Sequence, residues 1–180
     1  MLRFATTNEG KLEEARSHLA GLTDVEQFDY DYLEIQSDDL AAIAERGARE
    51  SFDALAGDDP VIVDDTGLFI RALDGFPGPY AAYVQQTLGV DRVWEVASDL
   101  EDKRAAFRCV VAYADDEGVE TFEGSVQGTL VAPRGEGGFG YDPIFEYDGT
   151  TFAEMTTEEK NAFSHRARAL SKLADWLAER

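Results

Sequence analysis

VIVDDTG, residues 61–67, runs three β-branched apolar residues straight into two acids, a threonine and a glycine. An extended run that is apolar at every position reads as a central strand, buried on both faces. Acids at the carboxyl end of such a strand emerge at the crevice where open α/β sheets bind ligands, or else they form a solvated strand end. Successive side chains of an extended chain point to opposite sides, so Asp64 and Asp65 cannot do the same job. One of the pair is placed to bind a hard cation or accept a proton, while its neighbour holds the loop.

The flanking sequence supports a sheet around this strand. LRFAT (residues 2–6) reads as a buried strand, and NEGKLEEARSHLAGL after it as a helix with Leu12, Ala15 and Leu19 on one face. VEQFDY is a second short strand, followed by a polar loop that contains Leu33 to Asp39. LAAIAERGARESFDALAG then reads as a helix ending near Gly57. Downstream, a Gly/Pro turn in GLFIRALDGFPGPYAAYVQ delivers Tyr80 into a helix, and DRVWEVASDL makes another. RAAFRCVVAYA and VETFEGSVQGTLVA, joined by DDEG, predict a long antiparallel hairpin. PRGEGGFGYDP is too rich in glycine and proline for regular structure. Thr156 and Glu159 have the spacing of a capping box, and the apolar stripe from Ala162 to Leu177 is interrupted near residues 161–164, where Ser164 is placed to cap a fresh helix. The sum is an α/β protein with a mixed sheet, expected to form a single domain over residues 1–180.

With 180 residues, 44% of them hydrophobic, the chain can bury roughly 70% of its unfolded surface. Cys109 is the sole cysteine and lies in an apolar run, so it reads as a small hydrophobe in a reducing cytoplasm. No stretch approaches a membrane span. Acids number 37 against 16 bases, for a net charge of -21. A surface so charged repels itself unless salt screens it, which predicts a halophilic protein in a salt-loaded cytoplasm and excludes a nucleic acid polymer as partner.

Four stretches carry the chemistry. TTNEGK (residues 6–11) lies between the first strand and the first helix, where unpaired N–H groups and Lys11 can hold phosphate. It reads also as an ordinary N-cap by Thr7 or Asn8. The acidic pair is the second stretch. In GGFGYDPIF (residues 137–145), Phe139 can stack on a nucleobase and Asp142 can accept from a ring N–H, or both rings plug the core beneath the loop. EEKNAFSHRARAL (residues 158–170) gathers Lys160, Ser164, His165 and Arg166 in a chain with few other lysines, whereas His18 reads as exposed or structural.

Together TTNEGK, LEIQ with Glu34, VIVDDTGLFI with LDGFPGPY, APRGEGGFGYDPIF and FAEMTTEEKNAFSHR resemble the Ham1 family of inosine triphosphate pyrophosphatases, in the family's order and over nearly the whole chain. The resemblance implies a mixed twisted sheet with flanking helices, two lobes around a nucleotide cleft, and a homodimer. It implies Mg²⁺-dependent hydrolysis of ITP, dITP and XTP to the monophosphate and pyrophosphate, a house-cleaning of the nucleotide pool. By position, Thr6, Thr7, Asn8, Glu9, Gly10 and Lys11 hold the triphosphate, and Glu34 and Asp65 serve the metal. Asp65 is the general base, with Thr66 beside the substrate. Phe139, Gly140, Tyr141, Asp142, Lys160, His165 and Arg166 form the base pocket. Two departures stand out: Thr7 replaces the usual family glycine, and Arg49 stands near a position where several members have lysine. The rival readings are another nucleotide pyrophosphatase such as the Maf group, whose early Ser-x-Ser-Pro-Arg-Arg signature is absent, and a non-catalytic nucleotide-binding sensor.

Overall fold

The structure is a computed structural model and describes residues 1–55 and 59–180. Strand β1 (Leu2–Ala5) pairs in parallel with β2 (Val25–Phe28), Leu2 opposite Val25, and with β3 (Val61–Ile70), Arg3 opposite Val61. Helix α1 (Glu9–His18) connects the first two, and α2 (Leu40–Leu55) precedes the third. This parallel order, with helical crossovers, is what the alternating strand and helix periods predict. The end of the second helix near Gly57 lies outside the described residues.

The chain continues through β4 (Pro77–Gly78), α3 (Ala81–Leu88), α4 (Val90–Ser98), β5 (Arg104–Ala114) and β6 (Val119–Leu130). It ends with β7 (Phe145–Tyr147), β8 (Thr150–Thr151), α5 (Thr157–Asn161) and α6 (His165–Glu179). The sheet runs β2-β1-β3-β5-β6-β7-β8, with β4 paired to β3. Between β5 and β6 the turn closes on Asp115, whose N–H donates to the Gly118 carbonyl at 3.1 Å and whose carboxylate accepts from Glu117 and Gly118 N–H. The capping box also forms: Thr156 Oγ1 accepts from Glu159 N–H, Glu159 reaches back to Thr156 N–H at 2.8 Å, and α6 begins directly after Ser164.

One expectation fails. The acids at positions 64 and 65 do not end a strand: β3 has ten residues, and Asp64 and Asp65 sit inside it. The continuation has a partner, because β4 runs antiparallel to it with Leu68 opposite Gly78 and Phe69 opposite Pro77. Gly67 permits that approach, since a Cβ there would lie 2.6 Å from the Gly78 carbonyl oxygen. The partner comes from ten residues downstream, so local sequence does not reveal it.

The chain divides into two compact units. Unit 1 comprises Met1–Asp65, Cys109–Gly124 and His165–Arg180; unit 2 comprises Thr66–Arg108 and Ser125–Ser164. Each has its own core. In unit 1 the apolar face of α1 (Leu12, Ala15) meets Leu2, Phe4 and Ile62 from β1 and β3, Cys109 and Val111 from β5, and Leu170 and Leu173 from α6. Cys109 is buried there as a free thiol, as its apolar surroundings predict. Helix α6 comes so close to β6 that a Cβ on Gly124 would lie 2.1 Å from the His165 carbonyl oxygen. In unit 2, Leu68 and Ile70 pack with Phe107, Phe145 and Phe152, the last two rings 4.9 Å apart edge to face. Full burial of each such side chain stabilises by about 1.5–3 kcal/mol. Among the described residues no helix is long and apolar enough to cross a membrane.

Candidate functional site

Unit 1 holds a buried charge network at the start of α1. Asn8 is the N-cap: its side chain accepts from Lys11 N–H at 3.2 Å, and its own N–H donates to Thr6 Oγ1 at 3.2 Å. That fixes the strand-to-helix turn and sets Lys11 one turn into the helix, where Nζ meets Asp64 Oδ1 at 2.6 Å. The other oxygen of Asp64 accepts from Arg166 Nε at 2.6 Å, and Arg166 Nη1 reaches Glu14 at 2.7 Å. Arg166 is only 1% exposed. Burial alone would raise the Asp64 pKa, but Lys11 and Arg166 more than offset that and hold its carboxyl well below the usual carboxylate range. Burial likewise works against the charge on Arg166, and Asp64 and Glu14 reverse it, so the guanidinium is held more firmly protonated than usual.

The two adjacent acids of β3 therefore live differently, as the alternation of a strand demands. Asp64 is 4% exposed and clamped between two cations, whereas Asp65 is half-buried, as is Thr66. Residues 29–37, which include Glu34, form no helix or strand. Glu34 and Asp65 nonetheless bear on one group: the phenol of Tyr32 is pushed far up by burial and then by the charges of Asp64, Glu34, Asp65 and Asp31. Room for the Tyr32 ring is made by Gly47 on α2, where a Cβ would lie 2.6 Å from it. Arg49, on the same helix, donates to the Asp115 carbonyl at 3.2 Å and serves to tie α2 to the β5–β6 turn.

Unit 2 holds a second cluster. Asp142 Oδ2 accepts from Phe139 N–H at 2.8 Å and from Lys160 Nζ at 2.7 Å, and both charged side chains are buried. Gly138, at φ +69°, allows this closure, since a Cβ there would lie 2.2 Å from the same oxygen. The Lys160 ammonium sits 4.4 Å from the centre of the Phe139 ring, which is 38% exposed. The loop thus presents one aromatic outward over a buried cation, while Tyr141 turns in: its hydroxyl donates to the Ala81 carbonyl at 2.8 Å, and burial pushes its pKa up to about 12.

The sequence-predicted residues accordingly fall into two groups. Lys11, Asp65, Glu34 and Arg166 belong to unit 1, with His165 buried at the start of α6; Thr66, Phe139, Gly140, Tyr141, Asp142 and Lys160 belong to unit 2. Glu14 was missed. Only its neighbour Lys11, three positions earlier on the helix surface, was visible locally; its burial comes from Arg166 on the distant α6.

Within a mixed α/β fold, unit 1 carries a cation at a strand-to-helix turn, and unit 2 carries an exposed aromatic ring over a buried cation. The sequence profile of the Ham1 family matches residues 2–176. A dITP/XTP pyrophosphatase of Thermococcus kodakarensis is 48% identical over 99% of this chain and 97% of its own length. An inosine triphosphate pyrophosphatase of Emericella nidulans is 40% identical over 99% of this chain and 97% of its own. The solved structure of a HAM1 protein from Coxiella burnetii superposes with a TM-score of 0.87 at 30% identity, covering 99% of this chain and 98% of that one. The chain belongs to the Ham1 family.

Proposed function

We propose that the chain hydrolyses non-standard purine nucleoside triphosphates, ITP, dITP and XTP, to the monophosphate and pyrophosphate, and so cleans the nucleotide pool. Carrying the reading is the match of this chain, over 99% of its length, to a relative named for that activity. A division of labour in the acidic pair supports it: Lys11 and Arg166 clamp Asp64 in a structural role, and we assign the chemical role to Asp65. In the proposed reaction Asp65 takes a proton from the water that attacks the α-phosphorus, and the bond from that phosphorus to the bridging oxygen breaks. Pyrophosphate departs, and the Lys11 ammonium stabilises the charge it gains.

The donor chemistry suits Mg²⁺. Among the described residues no three acidic, histidine or cysteine side chains converge, yet Mg²⁺ is usually held by one or two carboxylates together with substrate phosphates. Glu34 and Asp65, both felt by Tyr32, would supply those carboxylates. A bound Mg²⁺ would neutralise charge on the phosphate oxygens. Thr6, Thr7, Asn8, Glu9 and Gly10 join Lys11 in holding the triphosphate, with Thr66 beside the substrate. Phe139 stacks on the base, with Gly140, Tyr141 and Asp142 shaping its loop, and Lys160 and His165 serve selection of a 6-oxo purine, while Arg166, enclosed by Asp64 and Glu14, acts through Asp64. The protein acts as a homodimer in a salt-rich cytoplasm, which light scattering and melting curves across KCl concentration will check.

A screen of ITP, XTP, GTP, ATP and dUTP with pyrophosphate detection tests the activity, and Asp65→Asn tests the base. Turnover is expected to fall by about 10² to 10⁴ while nucleotide binding survives. A variant that turns over at nearly the wild-type rate would sink the assignment of Asp65.

A further inference from the structure

Unit 2 contains a cavity that neither cluster uses. It has a volume of about 640 Å³, and its wall includes Phe69, Arg71, Asp74, Arg104, Arg108 and Gln127. Three of the chain's 16 basic residues meet here, in a protein with 37 acids. Their states differ in a useful way. Arg104 is held by Asp102 through two hydrogen bonds, Nε at 2.8 Å and Nη2 at 2.7 Å, which leaves its remaining N–H groups to point elsewhere. Arg71 Nε lies 3.7 Å from the same carboxylate. Arg108 rests its guanidinium 4.6 Å from the centre of the Phe69 ring and, among the described residues, has no carboxylate within 4.0 Å. Even with Asp74 on the wall and Asp102 behind Arg104, guanidinium charge outnumbers carboxylate charge.

We propose that this cavity is a binding site for a small oligophosphate, separate from the site assigned to hydrolysis. The planar fork of arginine matches the spacing of phosphate oxygens, and the Arg108 fork, joined by the N–H groups that Arg71 and Arg104 do not spend on Asp102, suits a ligand with several phosphate groups better than a lone carboxylate. Phe69 keeps Arg108 extended over a flat surface, so little side-chain freedom is lost when an anion arrives. The Gln127 amide adds a neutral donor to the wall.

The test is calorimetric titration of the full chain with inorganic tripolyphosphate at low salt. A Lys11→Ala background removes the cation of the other site. That protein is expected to bind one equivalent of tripolyphosphate, and adding Arg71→Ala and Arg108→Ala is expected to weaken binding roughly tenfold or more. A parallel titration with adenosine triphosphate separates the sources, since it carries the same number of phosphates: tighter binding than tripolyphosphate assigns the site to nucleotides, and weaker binding assigns it to inorganic oligophosphate. Nitrogen-15 side-chain resonances of Arg71 and Arg108 in the unmutated protein give a readout independent of variant folding, and both should shift on titration. Absence of binding in the Lys11→Ala protein overturns the proposal, as do unmoved resonances or an affinity untouched by loss of the two arginines. So does a change in molecular mass on their removal, which would make the cavity a contact between copies of the chain.

Discussion

Replacing Asp64 by asparagine keeps the shape of the side chain and removes its charge. In the native protein one carboxylate oxygen takes Lys11 Nζ and the other takes Arg166 Nε, each at 2.6 Å. An amide can accept from one of these donors, and it turns an NH₂ group toward the other. Lys11, with 21% of its side chain exposed, can swing into water; Arg166, at 2%, cannot. The cost is therefore that of a buried cation that keeps Glu14 but loses its second carboxylate, about 3–5 kcal/mol. For 180 residues the unfolding entropy is about 0.4 kcal/mol/K, so the melting temperature should drop by about 8–13 °C. Calorimetry in dilute buffer and in multimolar KCl separates this from surface electrostatics, because salt screens exposed pairs and hardly touches buried ones. Arg92→Ala is the control: its pair with Glu95 is exposed on both sides, and its loss should cost less than about 0.5 kcal/mol and nothing in high salt. If Asp64→Asn melts within about 2 °C of the wild type in both buffers, the clamp does not hold the unit together.

Acid titration examines the same network from another side. Asp64 has a folded pKa below its unfolded value of 3.8, so its contribution is complete above that value and is lost as the pH falls from there through the lower folded pKa. The gap in melting temperature between wild type and Asp64→Asn should accordingly be full near neutrality and narrow below about pH 4. Gly124→Ala should destabilise by about 3 kcal/mol in urea unfolding, because its Cβ meets backbone atoms, the His165 carbonyl oxygen at 2.1 Å and the Ala169 nitrogen at 2.6 Å. If Lys160 is the charged donor to the 6-oxo group proposed above, Lys160→Gln should lower the ratio of kcat/KM for ITP over ATP by about tenfold or more; an unchanged ratio would remove Lys160 from base selection.

Much of this was legible because local chemistry and the final fold agree. Asn8 caps α1 from within its own turn, Thr156 and Glu159 close their box three residues apart, and Asp115 builds its turn from neighbouring N–H groups. Each of these depends on contacts a few residues away, which a one-dimensional pattern carries. What escaped depends on distant partners. The extension of β3 past Asp65 needs β4, and the burial of Glu14 needs Arg166 from the last helix. The motif SHR drew attention to Arg166 as a ligand-facing donor, but sequence alone could not show that two carboxylates already enclose it.

Glu14 and Arg166 stand 152 positions apart, and unit 1 is assembled from both ends of the chain. During synthesis, then, an acid-bearing first helix leaves the ribosome long before its cation has been translated. Until α6 emerges, Glu14 lacks that buried cation and Asp64 has Lys11 but not its second clamp, so the core around them cannot close. Closure of this unit must wait for α6, whose Arg166 lets Glu14 leave water and completes the enclosure of Asp64.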